Sequence, residues 1–275
     1  MATETAVLSA LASYREHIAG VNHHAMSALI PQIETVTLDD PDLIESPEEE
    51  TEARLKYTLR LVGADQANTS PPIERPSDVL RHWAVIAPQV GLDGASAHPD
   101  PAWRAEMRDA YTAALLRGLE RIQCPTSTWT LPADFGVAMR HVDSLEGPGW
   151  RLLRDMSERL IFWEGWGVPW FFEADQVEQS ARTGDAIINE TVGIDVEYEV
   201  AGGWACGDGN EATCFVMSSR RKETDADWSW RYVASLGQFG TKVFDDLAAL
   251  LEWYKTYGEP IERDFNVIAD EVFQA

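Results

Sequence analysis

Cysteine and positive charge are what this chain has least of. Three cysteines, at positions 124, 206 and 214, are too few for a disulfide framework. Cys206 and Cys214 could pair across adjacent strands, but Cys124 would then be left over. Reduced thiols in a cytoplasmic protein are therefore expected. Lysine and arginine number 22 against 46 aspartates and glutamates, a formal net charge of −24. That field repels nucleic acid and anionic membrane, and it favours a basic partner or serves solubility alone. No apolar run approaches the length of a membrane span. The N-terminus, MATETAVLSALASYREHIAG, lacks the basic start and long apolar stretch of a signal peptide. There is no G-x-S-x-G, no Walker loop, no H-E-x-x-H and no C-x-x-C. Six histidines, at 17, 23, 24, 82, 98 and 141, show no ligand spacing, so neither metal nor cofactor is expected.

What remains is ordinary globular composition, 45% hydrophobic and 25% charged over 275 residues, enough to bury a sizeable core. Residues 3–30 carry Val7, Leu8, Leu11, Tyr14, Ile18 and Val21 near a 3.6 period, which reads as a helix that Gly20 could break. The stretch 39–52, DDPDLIESPEEETE, holds eight acids and two prolines and reads as an acidic surface linker. Residues 53–62 alternate in part and read as a strand or short helix. Residues 77–90 read as a helix with Ser77 at its N-cap and Pro88 at its end.

A boundary falls at Asp100-Pro101, a good N-cap followed by a proline suited to the first helical position. Trp103, Met107, Tyr111, Leu115, Leu119 and Ile122 then mark one helix face, stopped by Pro125. Pro132 opens a shorter helix with Phe135, Met139 and Val142 inward, and a third helical stretch covers 151–160. Alternation of Ile194, Val196, Tyr198 and Val200 with acids predicts a half-covered strand, followed by glycine turns at 202–203 and 207–210. Residues 214–219 read as a central strand and 228–236 as another, with Trp230, Tyr232 and Ala234 on one side. Gly237 and Gly240 turn the chain, Thr241 can cap a last helix, and Val243, Phe244, Leu247, Leu250, Leu251 and Tyr254 form its apolar stripe. The order predicts an α+β fold, a mostly antiparallel sheet flanked by helices. A helical extension over 1–99 precedes it, and a tail over 261–275 follows.

Three pieces of this order resemble the SUKH superfamily, which contains fungal cell-wall-synthesis regulators and bacterial toxin-immunity proteins. Leu131-Pro132-Ala133-Asp134-Phe135 looks like that family's Leu-Pro-x-acid-aromatic entry to its second helix. The glycine-punctuated strands over 193–236 look like its central sheet. Phe244–Tyr254, FDDLAALLEWY, looks like its closing helix. The chain departs from the family at Asp143-Ser144, where Asn-Gly is common. The resemblance covers about residues 100–260. It implies a non-enzymatic module that binds a protein partner, as a regulatory scaffold or as a toxin inhibitor.

The densest functional signal lies between these pieces. Trp163, Glu164, Trp166, Trp170, Glu173 and Asp175 interleave aromatics and carboxylates, and Asp208 and Glu211 add acids on a glycine loop. These eight are the candidate partner-binding residues. The same aromatics could instead be core, since tryptophan and phenylalanine dominate cores. Aromatics with carboxylates could also bind a sugar, and a carboxylate pair such as Glu164 and Glu173 could hydrolyse a glycoside.

Overall fold

The computed structural model describes residues 2–37, 46–64, 69–125, 128–147, 160–166, 173–209, 212–257 and 266–273. Helix α1 runs Glu4–Thr35, capped by the Thr3 hydroxyl, which accepts from the Ala6 N–H. It is longer than the 3–30 expectation, and Gly20 does not break it. The long apolar stripe explains both, because it serves two cores in succession. Val7, Leu11, Tyr14 and Ile18 enter the main core, while Met26, Ile30 and Ile33 enter a second one. That second core is completed by helix α2 (Pro47–Val62), the short helices α3 (Asp78–Arg81) and α4 (Trp83–Gln89), and Ile73.

The acidic segment 39–52 is therefore not a linker throughout; residues 39–45 lie outside the described ones, but α2 begins at Pro47. Ser46 accepts from the Glu49 N–H, Pro47 sits in the first turn, and Glu48, Glu49 and Glu50 lie at the positive end of the helix dipole. The acids are a helix start. Residues 53–62 are the rest of that helix. Ser77 makes no side-chain cap to α3; the buried Asp78 carboxylate instead accepts from the Glu74 and Arg75 N–H groups. Pro88 lies inside the last turn of α4.

A two-residue strand β1 (Ala95–Ser96) leads to helix α5 (Pro101–Leu119), whose Asp100 cap accepts from Ala102 and Trp103. Helix α6 (Ala133–Ala138) follows, and then β2 (Ser144–Leu145), antiparallel to β1. The expected helix over 151–160 falls outside the described residues, apart from Leu160, which lies in a β-bridge. Helix α7 (Ala174–Gln179), strand β3 (Ala181–Thr183) and helices α8 (Gly184–Asn189) and α9 (Ile194–Glu197) lead into the main sheet.

That sheet is a five-stranded antiparallel meander, β3 followed by β4 (Tyr198–Gly209), β5 (Ala212–Arg221), β6 (Ser229–Ser235) and β7 (Thr241–Phe244). Helix α10 (Leu247–Tyr254) closes the fold and α11 (Ala269–Phe273) packs on α2 with Val272 fully buried. The fold is α+β, as expected. One sheet face presents Trp204, Cys214, Val216, Tyr232 and Ala234 to α1, α5, α6 and α10. The other presents Phe215, Met217 and Val233 to Ile187, Ile194 and Tyr198.

Three local readings change. Ile194–Glu197 is one helical turn, not strand, and Val196 is 80% exposed. Gly193 precedes it in the left-handed region, at φ 73°. Gly202 and Gly203 form no turn but lie within β4 at a bulge. A Cβ at Gly203 would stand 2.1 Å from the Val216 carbonyl oxygen, so the glycine serves close strand approach. Thr241 begins β7, and Asp246 caps α10 instead, accepting from the Ala249 N–H.

Asp134, the acid of the Leu-Pro-x-acid-aromatic stretch, is 1% exposed. It accepts from the Tyr232 hydroxyl at 2.7 Å and the Leu247 N–H at 3.0 Å. One carboxylate thus ties α6 to β6 and to the first turn of α10. Asp143, fully buried, accepts from Arg104 Nε at 2.7 Å and the His98 N–H at 2.6 Å, fixing α5 against β2.

Candidate functional site

Residues 160–164 run between the two sheets and join them. Trp163 exchanges backbone hydrogen bonds with Leu145 on one side, while Ile161 and Glu164 donate to the Asp208 and Cys206 carbonyls of β4 on the other. Gly165 then turns the chain with φ 62°. A Cβ there would fall 1.6 Å from the Asp143 carbonyl oxygen, so only glycine fits. The turn brings the Trp166 N–H onto that same carbonyl at 3.1 Å. Both neighbouring tryptophans go inward and the carboxylate between them goes outward.

Trp163 and Trp166 are 0% and 1% exposed. Their rings meet edge to face at 5.2 Å, Trp163 packs on Phe135 at 5.1 Å, and its indole N–H donates to the Tyr111 hydroxyl at 3.1 Å. Neither side chain reaches a surface, so neither is a partner contact. The reason is the course of 160–166: pairing with Leu145 and with β4 sets Trp163 toward the core and Glu164 away from it, and the Gly165 turn swings Trp166 back inward. Trp170 and Glu211 lie outside the described residues.

Glu164 and Asp208, far apart in sequence, come together at one open cleft of about 530 Å³. Helix α7 supplies one wall through Gln176 and Ser180, β4 another, and Tyr111 and Cys206 lie toward the interior. Glu173 and Asp175 stand exposed at the start of α7 and do not line the cleft, although Glu173 accepts from the side-chain amide of the lining residue Gln176 at 3.2 Å. Two of the eight candidate residues, Glu164 and Asp208, therefore line this cleft. Sequence reasoning missed Tyr111, Gln176, Arg182 and Glu190, which arrive from separate elements with no short-range pattern linking them.

The electrostatics are one-sided. Arg182 is already engaged, its Nε to Glu190 at 3.3 Å and an Nη to the Gln179 carbonyl at 2.6 Å. Among the described residues no cation pairs with the side chain of Glu164 or Asp208. The outer part of Glu164 is exposed, yet the cleft walls remove water from its carboxyl. That partial burial first, and the Asp208 charge second, raise its pKa above the ordinary carboxylate value. Cys206 donates its thiol to the Phe162 carbonyl at 3.1 Å, and burial pushes its pKa well up, so it is no thiolate nucleophile. None of Cys124, Cys206 and Cys214 is in a disulfide. Among the described residues no three metal-ligating side chains converge, and Gly207–Gly209 is strand rather than the expected turn. No helix among them is long and apolar enough to cross a membrane. No protein-family model matches this chain, and the comparisons with curated proteins and with solved structures also give no match.

Proposed function

We propose that the chain is a non-enzymatic, cytoplasmic protein-interaction module whose acidic cleft receives a cationic side chain of a protein partner. The observation that supports it is the pair Glu164 and Asp208, held at one cleft with no counter-ion among the described residues and close enough to raise the Glu164 pKa. Like charges held together cost free energy, and a guanidinium or ammonium group placed between them relieves that cost. The net charge of −24 draws a basic partner toward the surface. The resemblance of residues 100–260 to the SUKH superfamily points the same way, to a scaffold or an inhibitor acting by contact.

The test is a titration with an arginine-rich peptide at low and at high salt. Binding at low salt should weaken on the order of tenfold as exposed charges are screened. Failure of any basic peptide to bind at low salt would contradict the reading.

A hydrolytic reading also draws on Glu164, whose raised pKa suits a proton donor beside a charged Asp208. It is the weaker of the two. Trp163 and Trp166, which would have stacked against sugar, are core, and Tyr111 is the one aromatic among the described residues lining the cleft.

A further inference from the structure

A second cleft, of about 270 Å³, lies at the end of the sheet and is built from tryptophan and hydroxyl groups. Trp129, on the connection between α5 and α6, fixes its own ring by donating its indole N–H to the Ile122 carbonyl at 3.1 Å. It rests against Trp230 of β6, ring centres 5.6 Å apart at 45°. Gly202 lies beneath: a Cβ there would crowd the Arg182 carbonyl oxygen at 3.0 Å and the Ile122 Cγ2 atom at 3.1 Å, and would touch the Trp129 ring at 3.6 Å. Trp230 is itself backed by the buried Trp204 at 5.4 Å. Trp228, two residues before Trp230, forms the outer wall. Arg220, held by Glu199, stacks on its ring at 5.2 Å.

The remaining lining is Thr128, Thr130, Ser218 and Ser229. Among the described residues no charged group lines this cleft, in a chain with 46 acidic residues. We propose that it binds a neutral carbohydrate, one pyranose ring at a time. A pyranose has an apolar C–H face suited to an indole and a rim of hydroxyls suited to threonine and serine. The volume lies at the small end of ligand clefts, which fits a single ring. A proline ring also stacks on tryptophan, and its carbonyls could accept from the hydroxyls, but it meets none of their acceptor capacity as a sugar rim does, and the Trp129 indole N–H is already used. The site shares no residue with the acidic cleft and stands without it.

The experiment is saturation-transfer NMR on the full chain with millimolar β-linked glucose, N-acetylglucosamine and mannose hexasaccharides, and with decaproline in parallel. Trp228 packs in none of the three cores, so Trp228→Ala is expected to fold, which thermal melting verifies. Transfer to ring C–H protons of at least one sugar is expected, with affinity falling about tenfold in Trp228→Ala. Ser229→Ala, which leaves every ring in place, should weaken it less. No transfer from any sugar, undiminished binding in a folded Trp228→Ala protein, or transfer to decaproline alone would overturn the assignment.

Discussion

Asp134 and Asp143 hold the same chemical group as Glu164 and Asp208 in opposite circumstances. The first two are buried and fully engaged, by Tyr232 and Leu247 in one case and by Arg104 and His98 in the other. The second two stand at a cleft, near each other, with no cation paired to either among the described residues. A carboxylate that donors surround holds elements together. A carboxylate left beside its like detracts from stability and keeps its charge available to something outside the chain. The contrast separates scaffold from site using charge and partners alone.

The comparison breaks most readily at the buried pair. Asp143→Ala strands Arg104, whose second terminal nitrogen already has no hydrogen-bond partner. The loss should be about 3–5 kcal/mol of unfolding free energy in urea melts. Asp134→Ala leaves the Tyr232 hydroxyl and the Leu247 N–H buried without an acceptor, at about 1–3 kcal/mol each. A loss under about 1 kcal/mol for either variant would remove the structural half of the contrast.

At the cleft the sign reverses. Glu164 has a folded-state pKa above its unfolded value, so folding favours its protonated form. Its contribution is fully present below the unfolded value of 4.5 and is lost as pH rises through the raised folded value. Glu164→Gln imitates the protonated form at every pH. The variant should match the wild type near about pH 4 and be slightly more stable at about pH 7, by no more than about 0.5 kcal/mol. Thermal melts at the two pH values read this directly, and a less stable variant at neutral pH would mean that Glu164 has a structural partner.

Much of the scaffold was legible because its signals are local. Asp100-Pro101 is a cap and a first turn in adjacent residues, and the Trp230–Tyr232–Ala234 alternation faces the core as read. The failures share a cause, that one composition serves two geometries. Ser46-Pro47 with three glutamates is both an acidic loop and a helix start, and the cap decides. Ile194 and Val196 alternate like strand, but Gly193 in the left-handed region starts a helical turn. Gly202 and Gly203 look like a turn because the strand they approach is invisible in sequence. At the site, the sequence of Trp163 and Trp166 favours core but leaves a surface role open. Only the pairing of 160–164 with β2 and β4 decides, and that pairing also makes the Glu164–Asp208 cleft.

The most direct test of the cleft is the affinity of an arginine-rich peptide for the Glu164→Gln/Asp208→Asn variant, measured by calorimetry at low salt. A chain of net charge −24 attracts cationic peptides anywhere, so the control is Glu106→Gln/Glu223→Gln, an equal charge change at exposed positions away from the cleft. The account predicts at least about a tenfold weakening for the cleft variant and little change for the control. Equal weakening in both, or none in the cleft variant, would contradict it.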